Sequence, residues 1–590
     1  MIAEVILSLR LPRRFSFFDY QIPDSMEVGV GDLVNILFHG RESLGVVRGI
    51  KLTSSERKLA PLRSVAKREW CTIKDVERLE TIASAIAQSP SSLLHALSPS
   101  ILSPSHSLSQ SSPNNPSVKR TDVDTVTELL KSTEQTQAVV GDFALGVVLV
   151  HALQKSSRDQ VLVLVPTERD VELVGAGAML HGHTKPRERA AIASAWRKGD
   201  IKLLVGTRLA SLLPAQKISA IVVLDSGNNE HASTRRNPRF DARESAKLLA
   251  SQHKARLFFI DPLPRLEESP LPSTQTSQSS QASSPSLISL KNPLERTSLD
   301  LVSATLLESI ERSLREHKKV LLFLNRKGVA KRLQCGACGH IPLCGTCGNV
   351  PSVRKDDLVC AHCGTEMWIP EVCPSCGKAK IHLRGIGGAK VSDELRSHFL
   401  PASVGTIEKG KIENPDADIL LVTEFFFSSF HKPFDKMNLG VVADLAGDLG
   451  LQNDDFRSAE ETARKLSRLS LFAKRQNAEC IIQTWLPDLI SPMLNMHEFI
   501  SGEMELRERY KLPPFSSRYI LEGASLDVLP DELKPFARSH GDTLELRFPK
   551  HLLLPTGEKV GMRESLFRIP DSTKITPDTS YARPARPPQP

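Results

Sequence analysis

CGACGHIPLCGTCGNVPSVRKDDLVCAHCGTEMWIPEVCPSCG, residues 335–377, repeats the pattern Cys-x-x-Cys-Gly four times. The pairs Cys335/Cys338, Cys344/Cys347, Cys360/Cys363 and Cys373/Cys376 hold eight of the ten cysteines in the chain. A tight turn lets both thiolates of one pair face one metal, and the trailing glycine allows the backbone geometry that brings amide N–H groups onto sulfur. Two such knuckles complete a tetrahedral four-thiolate site, so the segment is expected to hold two structural zinc ions. A disulfide framework belongs to short secreted chains with a signal peptide. Here the chain has 590 residues, and the apolar stretch of its start, MIAEVILSLRLPRR, is short and broken by Glu4. Four evenly built knuckles imply closed coordination, which argues against redox catalysis. Spacing alone leaves the pairing open among sequential, interleaved and nested arrangements.

Outward from this segment, KVLLFLNR precedes the knuckles, and DILLVTEF, LGVVADL and CIIQTW follow them. The region before repeats the scheme with QAVVG, VLVLVP, IKLLVGT, AIVVLD and RLFFID. Short buried-strand runs alternating with helical patterns predict parallel sheets covered on both faces. The fold class is therefore α/β multidomain, with two helicase-like lobes in series and the zinc segment inserted in the second. Near the start, AEVILSL, FSFFDYQIP and GVGDLVNILFHGRESLGVVRGI read as strands of a small β-barrel-like module, followed by a helix over 73–89.

Two stretches rich in Ser, Pro and Gln, 97–120 and 266–292, read as disordered linkers, and 576–590 as a disordered tail. The domains expected between them are a β-rich module at 1–70, a helical stretch at 71–96, the first lobe at 121–265, the second lobe at 293–332 and 385–490, the zinc insertion at 333–384 and a C-terminal domain at 491–575.

Hydrophobic residues make up 40% of the chain, enough for several cores, and no apolar run approaches the roughly 18 residues that span a bilayer; a cytoplasmic protein without membrane partners is expected. The formal charge of +8 mildly favours an anionic partner. Each zinc centre with four thiolates carries −2, so two of them bring the total to about +4. Arg332, Arg354, Lys355, Lys378 and Lys380 then serve to balance the clusters as much as to contact phosphate.

FDYQIP, GVGDLV, LFHG, VLVLVP, VGTRLA, LNRKGVAKRLQC, the four knuckles, DLGLQNDDFRSAEETARKL, CIIQTW and LRERYKLPPF occur in an order that resembles the PriA family of replication-restart proteins. The resemblance covers roughly 1–96 and 120–520. It implies that 1–70 is a DNA 3′-end-binding domain, that 71–96 is a winged-helix-like remnant and that the two lobes are RecA-like, in a protein that recognises abandoned forks and reloads the replicative helicase. The implied partners are forked or single-stranded DNA, primosome proteins, the replicative helicase and its loader, and single-stranded DNA-binding protein, at nucleoid-associated replication forks. It also implies nested zinc pairing, Cys335/Cys338 with Cys373/Cys376 and Cys344/Cys347 with Cys360/Cys363. A Phe-Asp-Tyr turn and a glycine form the family's pocket for a DNA 3′ end, matched here by Phe18, Asp19, Tyr20 and Gly40. Arg10, Arg13, Arg14, Arg41 and Arg48 are candidate phosphate contacts; the competing reading puts Phe15, Phe17 and Phe18 in a core and the arginines on a solvated face.

The motor motifs are degraded. A P-loop needs G-x-x-x-x-G-K-[ST], whose lysine reaches phosphate and whose hydroxyl holds Mg²⁺. Gly141 and Gly146 keep the spacing, but Val147 and Val148 follow. The Asp-Glu-x-His box is replaced by Asp225, Ser226, Gly227 and Asn228, with Glu230 and His231 read as a solvated loop. IDPLP around Asp261 replaces the family's coupling motif, and LSLFAKRQ keeps only Arg475 of the arginine-rich segment. Gly141, Gly146 and Asp225 thus mark a degenerate nucleotide site with no expected catalytic residue, as in the actinobacterial branch of the family. ATP binding stays open and hydrolysis is not expected. The leading expectation is a fork-binding scaffold that promotes primosome assembly. The alternatives are an active ATP-dependent 3′-to-5′ helicase and a generic zinc-ribbon nucleic-acid binder.

Overall fold

The computed structural model describes residues 1–54, 59–97, 119–233, 237–268, 273–274, 285–299, 301–324, 332–354, 357–384, 388–432, 435–453, 455–540, 543–549 and 562–577. Most of both expected linkers and nearly all of the expected tail lie outside these residues.

Alternating apolar positions build the N-terminal module. Ile2–Leu7, Phe18–Gln21, Leu33–Phe38, Arg41–Lys51 and Ser64–Lys67 form one antiparallel sheet with Phe18–Gln21 and Ser64–Lys67 at its edges. A bridge between Gln21 and Pro61 draws the edges together into a barrel-like closure around Val5, Leu7, Tyr20, Val34, Ile36 and Val47. The next helix, Ile73–Ala85, starts at a capping box in which Thr72 and Asp75 exchange hydrogen bonds. With Pro90–Leu97 it packs Val76, Leu79, Ile82, Leu93 and Leu94 into a core continuous with that of the first lobe. Arg78 is fully buried in this joint, donating to Ser211 O at 2.6 Å and Asp75 at 3.1 Å. The stretch expected as a winged-helix remnant is thus a helix pair, with no strand pair at 71–97.

The first lobe is a parallel sheet in the spatial order Ser273–Thr274, Thr136–Val140, Arg256–Asp261, Ile218–Leu224, Gln160–Leu164, Leu203–Gly206, Ala178–Leu180. The second runs Ser286–Ser289, Glu479–Thr484, Leu439–Asp444, Lys319–Phe323, Ile419–Val422, Val404–Glu408, Lys411–Glu413, parallel except for its last, antiparallel pair. Both have the RecA-like pattern in which the strand ends face a common cleft.

One boundary is corrected here: Ser273–Thr274 and Ser286–Ser289, inside the expected linker 266–292, pair with the edges of the two lobes. Serines mask these strands in the sequence, because edge strands need few apolar residues and Leu287 and Ile288 suffice. The C-terminal region adds the helix Met496–Arg509 and a sheet ordered Ala537–His540, Thr543–Pro549, Ser516–Glu522, Lys574–Pro577. Among the described residues no helix is long and apolar enough to cross a membrane.

Candidate DNA-end pocket, nucleotide cleft and metal centres

The four expected pocket residues divide. Phe18 is half-buried, stacked on Phe15 at 5.6 Å and edge-on to Phe38 at 5.0 Å, which brings the hairpin tip at His39 and Gly40 beside it. Gly40 has φ 76 and nothing within 4 Å of a Cβ built on it, so its backbone faces open space. Asp19 accepts from Lys51 at 2.8 Å and from Ser54, both on Oδ2. Burial favours its neutral form, but Lys51 and Ser54 outweigh that and hold the carboxyl below its usual range. Asp19 Oδ1 is buried without a partner among the described residues. Tyr20 instead lies in the barrel core, where burial pushes its hydroxyl up to about 12. Arg13 pairs with Asp571 at 3.4 Å, while Arg48 pairs with Glu4 and Glu80 at 2.8 and 2.6 Å and lies 4.3 Å over Phe17; Arg10, Arg14 and Arg41 are exposed.

At the first lobe's cleft, strand Thr136–Val140 passes into helix Phe143–Ser156 through two residues, Gly141 and Asp142. There is no loop to wrap a phosphate. Gly146 faces the sheet, and a Cβ there would lie 2.3 Å from Leu224 Cδ2, so close helix–strand packing accounts for the retained glycine. Its placement in the nucleotide site is therefore corrected. Val147 and Val148 are buried beside it. Asp142 caps the helix, accepting from Leu145 N at 3.0 Å. A carboxylate thus occupies the positive end of the helix dipole, where a P-loop receives phosphate.

The second lobe answers with one helix. Arg464, Arg468 and Arg475 sit at positions i, i+4 and i+11 of Ser458–Gln476 and share a face. Arg475 donates to Asp142 Oδ1 at 2.7 Å and to Asp122 at 3.1 and 3.3 Å. Arg468 bridges Asp225 at 2.9 Å and Glu424. Arg464 donates to Asp261 at 3.1 Å and Glu460 at 2.7 Å. Asp225 has φ 50 and also accepts from Asn228 at 2.7 Å. Burial opposes its charge, but Arg468 holds its carboxyl below the usual range. A Cβ on Gly227 would lie 2.0 Å from Arg464 Nε, so the loop in place of the acidic box is shaped around an arginine from the other lobe. His231 is a further correction: it is buried, not solvated, and its Nε2 lies 2.9 Å from Leu224 O. Burial lowers its pKa to about 4.

The eight knuckle cysteines gather into two four-thiol sets, Cys335/Cys338/Cys373/Cys376 and Cys344/Cys347/Cys360/Cys363. The closest sulfurs across each set are 3.4 to 3.7 Å apart, spacing that suits a tetrahedral ion. This is the nested arrangement. In all four knuckles the glycine has positive φ and its N–H donates at 2.8 to 2.9 Å to the carbonyl of the first cysteine. The Cys338 amide, with that of Ala337, draws the Cys335 thiol down to about 6, so the backbone favours the thiolate a metal needs. Gly339 lies against the ring of Trp485, and Ile341 and Val350 enter a core with Leu263, Leu266 and Leu466. Tyr510 donates to Thr346 O at 3.4 Å, tying the C-terminal region to the inner set.

Comparison with known proteins bears on the N-terminal module first. Residues 4–99 match the PriA 3′DNA-binding domain (3′BD). Across the longer chain, the replication restart protein PriA of Rickettsia conorii is 25% identical over 567 residues, 86% of this chain and 85% of that one. PriA of Haemophilus influenzae is 28% identical over 412 residues, 63% of this chain and 55% of the other. These matches support a PriA-like replication-restart protein. Among solved structures, Dbp5 of S. cerevisiae bound to RNA and ADP BeF3 aligns over 66% of this chain and 93% of that one at 9% identity and a TM-score of 0.31, too weak a likeness to argue from.

The 3′BD match runs through the helix pair at 73–97, which therefore belongs with the N-terminal module. The sequence pointed to Arg475, Asp225 and Gly141, and all three line the cleft. It gave no role to Arg464, Arg468, Asp122 or Asp142. The helix face that Arg464 and Arg468 share with Arg475 was the available signal, but the carboxylates they meet lie some 200 to 350 residues away along the chain.

Proposed function

We propose that this chain acts in replication restart as a fork-binding scaffold: it engages the free 3′ end of a DNA strand through its N-terminal module and promotes primosome assembly without hydrolysing ATP. The observation that carries this reading is Asp19, in the stretch that matches the PriA 3′BD. One carboxylate oxygen is held by Lys51 and Ser54, and the other is left to accept a terminal hydroxyl beside the Phe18 ring and the open Gly40 turn. Stacking a terminal base on such a ring contributes roughly 1–3 kcal/mol.

Zinc is the ion we assign to each four-thiolate set, as four thiolates in closed coordination suit it best. Primosome proteins, the replicative helicase with its loader, and single-stranded DNA-binding protein are the partners this reading implies, in the cytoplasm at the fork. The cleft supports a role without ATP turnover: no lysine stands at the helix start, and the arginines facing the cleft from the second lobe are paired with carboxylates. An active helicase is disfavoured for that reason, and a generic zinc-ribbon binder by the 3′BD match.

The test is binding of the full chain to labelled forks carrying a 3′ hydroxyl or a 3′ phosphate, to duplex DNA and to RNA. Preference for the 3′-hydroxyl fork, lost in Asp19→Ala, is expected. Equal binding to all four, unchanged by Asp19→Ala, would overturn the proposal.

A further inference from the structure

Outside the two thiolate sets, one more group of side chains among the described residues has the composition and geometry of a metal site. Glu168 opens the helix Glu168–Val174, and His181 and His183 follow the edge strand Ala178–Leu180 of the first lobe. One ligand atom from each lies within 4.8 Å of the other two. His181 Nδ1 is 3.8 Å from Glu168 Oε2, and His183 Nδ1 contacts the same oxygen. The ligands of a tetrahedral ion with bonds near 2.0–2.1 Å lie about 3.3 Å apart, so small shifts of two side chains close the shell.

Three details indicate a formed site. His181 Nδ1 is buried, 3.8 Å from Glu168 Oε2, and has no hydrogen-bond partner among the described residues, which leaves a lone pair or a proton unanswered. Gly182 makes room for the carboxylate, since a Cβ there would lie 2.4 Å from Glu168 Oε1. The turn is held from behind: the buried Thr184 accepts from His181 N at 3.0 Å, and Arg189 donates to the carbonyls of Gly182 and Thr184 at 3.0 and 3.3 Å. His183 is largely exposed, which gives an ion a route in and leaves a coordination position for water.

We propose that Glu168, His181 and His183 bind a third metal ion, a borderline divalent cation such as Zn²⁺, in an exchangeable site distinct from the closed thiolate centres. Two imidazoles and one carboxylate suit Zn²⁺, Co²⁺ or Ni²⁺ and disfavour Mg²⁺ and Ca²⁺, which require oxygen shells. The bound ion pins the open edge of the first lobe's sheet to helix Glu168–Val174. Arg169, the next residue of that helix, donates to His431 O in the second lobe, so the ion sits beside a lobe–lobe contact.

The experiment is metal counting on the full chain equilibrated with micromolar free Zn²⁺, followed by Co²⁺ titration of protein whose thiolate sites are filled with zinc. Three ions per chain are expected, falling to two in His183→Ala and in Glu168→Gln, with affinity weakened more than about tenfold in Gly182→Ala. Cobalt in this site should show visible ligand-field bands without thiolate-to-cobalt charge transfer. The two thiolate-bound ions report that each variant has folded. A count that stays at two in the wild-type chain, or a third ion kept by both His183→Ala and Glu168→Gln, would overturn the proposal.

Discussion

The four-knuckle segment and the cleft between the lobes are both places where separate parts of the chain converge on charged groups, and they solve the problem in opposite ways. In the zinc segment the protein supplies ligands of one sign: eight sulfurs face inward, with backbone amides favouring the thiolate form. Such a centre is incomplete without a cation. In the cleft the protein supplies both signs itself. Asp142 stands where phosphate would sit, and Arg475 reaches it from the other lobe as an arginine finger would reach a nucleotide. Here the charges are balanced between side chains of the two lobes, so ion pairs tie the lobes together across the cleft.

The contrast is broken most severely at the metal. Cys360→Ser should lower the metal count by one and unfold the inner knuckles, because binding of a structural zinc contributes on the order of 10 kcal/mol to folding of such a module. Metal analysis with limited proteolysis around residues 344–363 checks this, and an unchanged count would remove the distinction between the two regions. Next come the clamps. Arg464→Ala leaves the buried Asp261 without its ion pair and should cost about 3–5 kcal/mol in a denaturant titration, without altering the metal count; Arg468→Ala, whose partners Asp225 and Glu424 are partly exposed, should cost less.

Acid should separate the regions by order of loss. Burial raises the cost of charging Glu460, but Arg507 and Arg464 outweigh it and hold its pKa to about 2, below the ordinary 4.5. Its stabilisation is therefore present above the unfolded-state value and is lost as pH falls from there through about 2. Protons compete for the thiolates earlier, so metal release should precede lobe separation on acidification, measurable by a zinc indicator and by small-angle scattering on the same sample. Simultaneous loss would show that the zinc segment also holds the lobes. The smallest effect on stability belongs to Asp19→Ala, within about 1 kcal/mol because its partners Lys51 and Ser54 lie near the surface, while its effect on 3′-end preference should be about tenfold.

The fold was legible where periodicity was strong. The runs VLVLVP, AIVVLD and RLFFID are central strands, and KVLLF is the middle strand of the second sheet as its pattern requires. The edge strand Ser286–Ser289 was illegible because it has only Leu287 and Ile288 to show. Gly146 misled for a physical reason: a glycine kept for close packing against Leu224 has the same spacing as one kept for phosphate. Tyr20 belongs to a motif read as a DNA pocket, yet in a period-2 strand it faces opposite to Asp19 and enters the core. The clamps were beyond the sequence because an arginine does not specify which distant carboxylate it meets. His181 and His183 were overlooked because the lone turn joins an edge strand to a helix and its third ligand lies 13 residues upstream of the first histidine.

On the proposed reading the arginines that face the cleft are paired with the chain's own carboxylates, and function rests on DNA binding. ATP hydrolysis and fork binding measured on one preparation of the full chain, with 3′-ended forks as both ligand and stimulant, test it directly. The account predicts saturable fork binding with no DNA-stimulated ATP hydrolysis; robust hydrolysis that rises with fork concentration would contradict it.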